Sequence, residues 1–229
     1  MITLDDLKNS FYAENLFSLH QGKVVIEEKK NKGQEGKLQK VTLLSDGQFV
    51  ECSNAYLQKT KEVFKKVDSN FSFQKDCDGI FLLDKDGKQY FIVIELKSGF
   101  DTKAFYQIAS SYIRCKAMLR NIATFDASLN YEEKAFIISY SDKEKKYDST
   151  SNASVLASKR CIMDSVKGEV INNLRIRLKT QKKVSLKNSD FGLKNMAIAK
   201  DLLLDNLEVN GITLEDGITA AEVDIDKWL

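Results

Sequence analysis

The chain has 229 residues, 43% hydrophobic and 30% charged, with 35 Lys and Arg against 33 Asp and Glu, 1 His, 4 Cys and 0 Pro. That length suits one substantial core, or a core with a small appendage, folding without staples. A single histidine excludes multi-histidine metal sites and argues against Ser-His-Asp or Cys-His catalysis, the four cysteines show no paired zinc spacing, and no apolar run reaches the ~20 residues of a membrane span.

Charge is segregated along the chain. Residues 1–142 hold 20 acidic and 20 basic groups, 143–188 hold 4 and 12, and 201–229 hold 8 and 1. The basic block is a candidate phosphate-facing surface, although such a run also serves as a solvated face. The first residues, Met-Ile-Thr-Leu-Asp-Asp, lack a basic segment followed by an apolar one, so no signal peptide is expected and the expected compartment is the cytoplasm.

In chain order, Leu4, Leu7, Phe11, Leu16 and Leu19 predict one or two short helices within 3–20. Strands follow at Val24–Ile26 and Val41–Leu44 across a polar, Gly-containing turn, so residues 1–45 read as an N-terminal helix and hairpin elaboration. Ser45-Asp-Gly-Gln48 matches a capping box, and Phe49, Val50, Tyr56, Leu57, Val63, Phe64 and Val67 recur at helical spacing. These predict a helix over 46–67. Glu51 and Glu62 lie opposite its apolar stripe and read as solvated.

Ile80–Leu83 and Tyr90–Ile94 are apolar, rich in β-branched and aromatic residues, and separated by a turn cluster ending in Asp86-Gly87, which predicts a hairpin. The second strand is apolar on both pleat faces, as expected between two layers. Glu95 and Lys97 share one of those faces. With a four-residue loop over 84–87, Asp78 falls opposite Val93 and diagonal to Glu95, on the same face. Two carboxylates at about 4 Å repel by roughly 4 kcal/mol at an effective dielectric of 20. A divalent cation between them, Mg²⁺ or Mn²⁺, relieves that repulsion and keeps waters that leave room for a phosphate. Lys97 beside it would orient water and stabilise developing negative charge, and its removal is expected to leave the fold intact.

Next, Asp101 is placed to cap a helix carrying Ala104, Ile108, Ser111, Tyr112, Cys115 and Leu119 on one face, with Lys103, Gln107 and Arg114 off that stripe as candidate phosphate contacts or solvated flank. Ala135–Tyr140 reads as a strand parallel to an earlier one. Residues 142–152 read as a loop. Met163 to Leu178 reads as a helix, although Leu174, Ile176 and Leu178 alternate with Arg175, Arg177 and Lys179 as in a strand. A further helix is expected at 196–204, and a short edge strand within 212–229 with Trp228 packed as an anchor.

Asp78, followed by Glu95-Leu96-Lys97 at the end of an apolar strand and then a helix, resembles the PD-(D/E)xK nuclease superfamily, the restriction-endonuclease-like fold. The likeness spans about 46–140, with Cys77 where the family name has Pro. It implies an α/β fold: an α-β-β-α-β core with a mixed sheet flanked by helices over 46–142, carrying the N-terminal hairpin and C-terminal α/β additions over 143–229. It also implies a Mg²⁺-dependent endonuclease acting on DNA rather than RNA, in restriction or anti-phage defence. Asp78 and Glu95 would hold the metal, the Leu96 carbonyl would add a ligand, and Lys97 would act on the attacking water. Many members add an acid from the first helix, for which Glu51 is the subsidiary option. In one subgroup a Gln on the following helix precedes Tyr by four residues; here Gln107 precedes Ser111, with Tyr112 one place later. Arg175, Arg177, Lys179, Lys182 and Lys183 in the basic block are further candidate nucleic-acid contacts. A homodimer is one available assembly. The alternatives are an inactive nucleic-acid-binding module of the same fold and a protein-binding α/β scaffold.

Overall fold

The computed structural model describes residues 5, 7, 16–27, 40–64, 73–97, 102–120, 131–139, 166–193, 204–215, 218 and 220–229. Asp5 and Leu7 are helical, as the pattern within 3–20 predicts, and β1 (Phe17–Glu27), β2 (Lys40–Cys52) and α1 (Asn54–Val63) follow. A hairpin of β3 (Gly79–Lys85) and β4 (Lys88–Lys97) follows, then α2 (Lys103–Leu119) and β5 (Tyr131–Ser139). The C-terminal part supplies α3 (Val166–Gln181), β6 (Lys183–Lys187), β7 (Asp205–Thr213) and β8 (Ala220–Asp224). The eight strands form one mixed sheet in the order β1-β2-β3-β4-β5-β7-β6, with β8 also pairing β2. The protein is therefore α/β, with a mixed central sheet flanked by helices. None of the described helices is long and apolar enough to cross a membrane.

The β3–β4 hairpin forms where Asp86-Gly87 predicts it, but through a tighter turn. Asp86 (φ 51) and Gly87 (φ 73) are both left-handed, the two-residue arrangement whose twist suits flanking strands, and Lys85 pairs with Lys88. The register therefore moves by two residues from the expected one. Because side chains alternate with period two, that shift preserves which face each residue occupies. Ile80, Leu82, Phe91 and Val93 lie in the core shared with α1, α2 and α3, whereas Phe81, Leu83, Tyr90, Ile92, Ile94 and Leu96 lie in the core on the opposite face.

The helix expected over 46–67 is a strand as far as Cys52, followed by the shorter α1. Ser53 is the cap, its Oγ accepting from Tyr56 N at 3.3 Å. Phe49 and Val50 are both buried because β2 is covered on both faces and bonded on both edges, and such a run mimics helical spacing. Leu16 and Leu19 likewise precede and join β1 rather than a helix. The boundary set at 45/46 falls inside β2, which pairs with β8 over 40–44 and with β3 over 48–51. Gly47 marks the change of partner, since a Cβ there would stand 2.5 Å from the Asp84 carbonyl oxygen.

β5 runs parallel to β4, as the crossover through α2 requires. In the C-terminal part, 174–178 is helical, with Ile171, Leu174 and Leu178 inward. β7 continues the parallel ladder beside β5, and β6 closes that side antiparallel to β7. The edge strand expected within 212–229 is β8, parallel to β2, and Trp228 packs partly buried against the second core. The expected loop over 142–152, the helix over 196–204 apart from Leu204, Asp101 and Cys161 lie outside the described residues.

Candidate functional site

The segment before β3 is fastened from two helices, and this places Asp78. Arg114 on α2 is 0% exposed and makes five hydrogen bonds: Nε to Ser110 O (3.3 Å), Nη1 to Leu57 O (3.2 Å) and Thr60 Oγ1 (3.3 Å), and Nη2 to Lys75 O (3.0 Å) and Asp76 Oδ1 (2.6 Å). Asp76 Oδ2 pairs with Lys61 and accepts from Gln58 Nε2 at 3.3 Å. Gln107 Nε2 donates to Asp76 O at 2.8 Å, and Cys77 N donates to Ser111 Oγ at 2.8 Å. Arg114 is thus a buried clamp and not the phosphate contact its off-stripe position suggested. α2 is buried on more than one side because it lies against both the sheet and α1.

Asp78 then sits where β3 enters the sheet. Its N–H donates to Ile94 O at 3.0 Å, and its Oδ2 accepts from Leu96 N at 2.7 Å. Continuing the ladder from Gly79↔Ile94 brings Asp78 level with Glu95 rather than diagonal to it. Glu95 and Lys97 follow Phe91 and Val93 on the helix-covered face, and the two side chains form an ion pair. Glu95 is 0% exposed, so its charge is tolerable only with a close partner. Removing Lys97 therefore takes the ammonium partner from a buried carboxylate, a stability cost that enters beside the expectation that this variant keeps its fold. Leu96 points its side chain into the opposite core.

The wholly buried Cys77 thiol is pushed well above its usual pKa, first by desolvation, against which a hydrogen bond to Ser111 acts, and further by the charges of Glu95 and Asp78. It stays a neutral thiol, so the donors at this point are oxygens. Among the described residues no group of three or more His, Cys, Asp or Glu side chains gathers as a metal cage. Two carboxylates and a backbone carbonyl are the donor chemistry of a hard cation that keeps much of its water.

The other sequence-derived residues disperse. Glu51 lies on β2 beside Phe49, on the face opposite Glu95, with its Oε2 2.9 Å from His20 Nε2. Gln107 braces the backbone two residues before Asp78. Lys103 is exposed at the start of α2 and Arg177 is exposed on α3, where Lys179 is half-buried and Arg175 Nε donates to Asn172 Oδ1 at 3.0 Å. Lys182 and Lys183 part company: Lys182 Nζ donates to Thr213 Oγ1 (3.1 Å), whereas Lys183 pairs with Glu208 (2.7 Å), which also holds Lys134 (3.2 Å). Sequence spacing missed Ser111 and the Asp76–Arg114 pair, whose partners lie 36 and 38 residues apart. No protein-family model matches the chain, and neither the curated proteins nor the solved structures hold a match.

Proposed function

We propose that the chain is a metal-dependent nuclease of the PD-(D/E)xK, restriction-endonuclease-like type, hydrolysing phosphodiester bonds of DNA. The observation that supports this most is the convergence of Asp78, Glu95 and Lys97 on one face at the joined ends of β3 and β4, with Glu95 buried against Lys97. Asp78, Glu95 and the Leu96 carbonyl would hold Mg²⁺ or Mn²⁺. Such an ion supplies polarisation of the phosphoryl oxygen and a bound water of lowered pKa.

The chain's own groups do the rest. The Leu96 amide orients the Asp78 carboxylate toward the end of β4. Gln107, Ser111 and Arg114 immobilise residues 75–77, so that carboxylate does not drift. Lys97 holds the attacking water and offsets the negative charge that grows on the phosphate, a preorganised electrostatic effect.

The test is incubation with plasmid, single-stranded DNA and RNA, with and without Mg²⁺. Cleavage of DNA only with Mg²⁺, lost in Asp78→Ala, is the expected result. Binding without any metal-dependent cleavage by the wild-type chain would replace this reading with that of a nucleic-acid-binding module.

A further inference from the structure

The parallel strands β4, β5 and β7 end in a row of polar side chains, of which the reading above uses only Lys97. Lys97, Ser139 and Thr213 are successive partners across β4, β5 and β7. All three fall on the α2 side of the sheet, because Val93, Ile137 and Val209, an even number of positions earlier on the same strands, belong to the core there. The row occupies the carboxyl ends of three parallel strands, the end of an α/β sheet at which ligands gather. Ser139 is 0% exposed, and its Oγ has no hydrogen-bond partner among the described residues, a condition that folded proteins rarely leave uncompensated. It is one strand over from the equally buried Glu95, so an oxygen delivered to Glu95 arrives beside the Ser139 hydroxyl.

The far end of the row is also built. Thr213 is exposed and accepts from Lys182 Nζ at 3.1 Å. Lys182 has φ 60, with its N–H donating to Leu178 O (2.9 Å) and its carbonyl accepting from Gly211 N (2.8 Å). A lysine held in left-handed backbone is strained, and such strain concentrates at functional positions.

We propose that Lys97, Ser139, Thr213 and Lys182 form a phosphate track, along which the nucleic-acid backbone leaves the cleavage position and crosses the ends of β5 and β7. This rests on the nuclease reading for the place of Lys97 and supplies the substrate contacts which that reading lacks. Ser139 Oγ donates to a phosphate oxygen beside Lys97, and Thr213 steadies the Lys182 ammonium against a phosphate further along. Two strand spacings put Thr213 roughly 10 Å from Lys97, about the axial rise of three nucleotides of a duplex strand.

The experiment measures binding of a short fluorescein-labelled DNA duplex to the full chain across a salt series in EDTA. It is paired with cleavage of the same duplex in Mg²⁺ and with thermal melting. Lys182→Gln should reduce the salt slope by up to about 0.9. Ser139→Ala should bind about threefold to tenfold more weakly at unchanged slope, while melting at or above the wild-type temperature because a buried hydroxyl is gone. Wild-type affinity and slope in both variants would overturn the track, as would a loss of binding in Ser139→Ala that merely follows a loss of melting temperature. If the wild type cleaves while the variants bind unchanged, the track alone fails. If the wild type does not cleave yet both variants bind more weakly, the nuclease reading alone fails.

Discussion

Asp76 and Asp78 stand two residues apart, and their surroundings assign them different work. Asp76 meets the buried Arg114 guanidinium on one oxygen, and Lys61 and Gln58 on the other, donors drawn from both α1 and α2. Asp78 turns the other way and takes the Leu96 amide at the end of β4, level with Glu95. The first carboxylate ties two helices to the entrance of the sheet. The second stands where a strand end brings another carboxylate and an ammonium together. The difference teaches that the acidity of a motif says little until the counter-charges are placed, because a buried charge is stable only with the partner that its neighbours provide.

The largest expected effect separates the two aspartates directly. Asp78→Ala should lower Mg²⁺-dependent cleavage by a factor on the order of 10³, about 4 kcal/mol of transition-state stabilisation, and cost about 1 kcal/mol of stability through the lost bond from Leu96 N. Asp76→Ala should do the reverse: it leaves the Arg114 charge buried without its carboxylate and costs about 3 kcal/mol of stability, with activity per folded molecule largely kept. Equal loss of activity per folded molecule in the two variants would erase the distinction.

Lys97→Ala sharpens the comparison from the other side. In EDTA it should lose about 3 kcal/mol, because the buried Glu95 carboxylate loses its ammonium partner. Saturating Mg²⁺ should return about 2–3 kcal/mol of that by binding only the folded state. Denaturant melts unaffected by Mg²⁺ would show that no cation takes the place of the ammonium.

Smaller effects belong to the far end of the sheet. Gly47→Ala pushes a methyl group against the Asp84 carbonyl and should cost about 2 kcal/mol by urea denaturation, without changing cleavage per folded molecule. Asp226 accepts from Ser45 Oγ (2.6 Å) and Asp46 N (2.9 Å) and pairs with Lys85, so Asp226→Asn should cost about 1 kcal/mol near neutral pH. Desolvation raises the Asp226 pKa, but the bonds from Lys85, Ser45 and Asp46 outweigh it and the net shift is downward. A depressed carboxylate stabilises the fold above its ordinary pKa and loses that contribution as pH falls through the lowered value. Wild-type and Asp226→Asn melting temperatures should therefore converge in acid. A gap that persists there would mean that the pair works by shape rather than charge.

Local chemistry carried the middle of the chain. The Asp86-Gly87 turn, the doubly apolar strand before Glu95, the helix after it and the parallel strand at 135–139 follow from nearest-neighbour preferences and period-two alternation. Asp78 and Glu95 share the face that alternation predicts even though the turn is two residues tighter than a four-residue loop, because a register shift of two leaves parity intact. Tertiary structure alone decided the rest. Residues 46–52 became strand because β1 lies on one edge of β2 and β3 on the other, and a strand buried on both faces shows no alternation to read. Arg114 became a buried clamp because its carboxylate arrives from 38 residues away. Lys182 and Lys183 face different partners although they are neighbours in sequence, and Lys97 falls in one row with Ser139 and Thr213 only through the pairing of three strands far apart in sequence. Such pairings depend on where distant segments dock, and docking is set by how whole faces bury against one another, a property no local window of sequence contains.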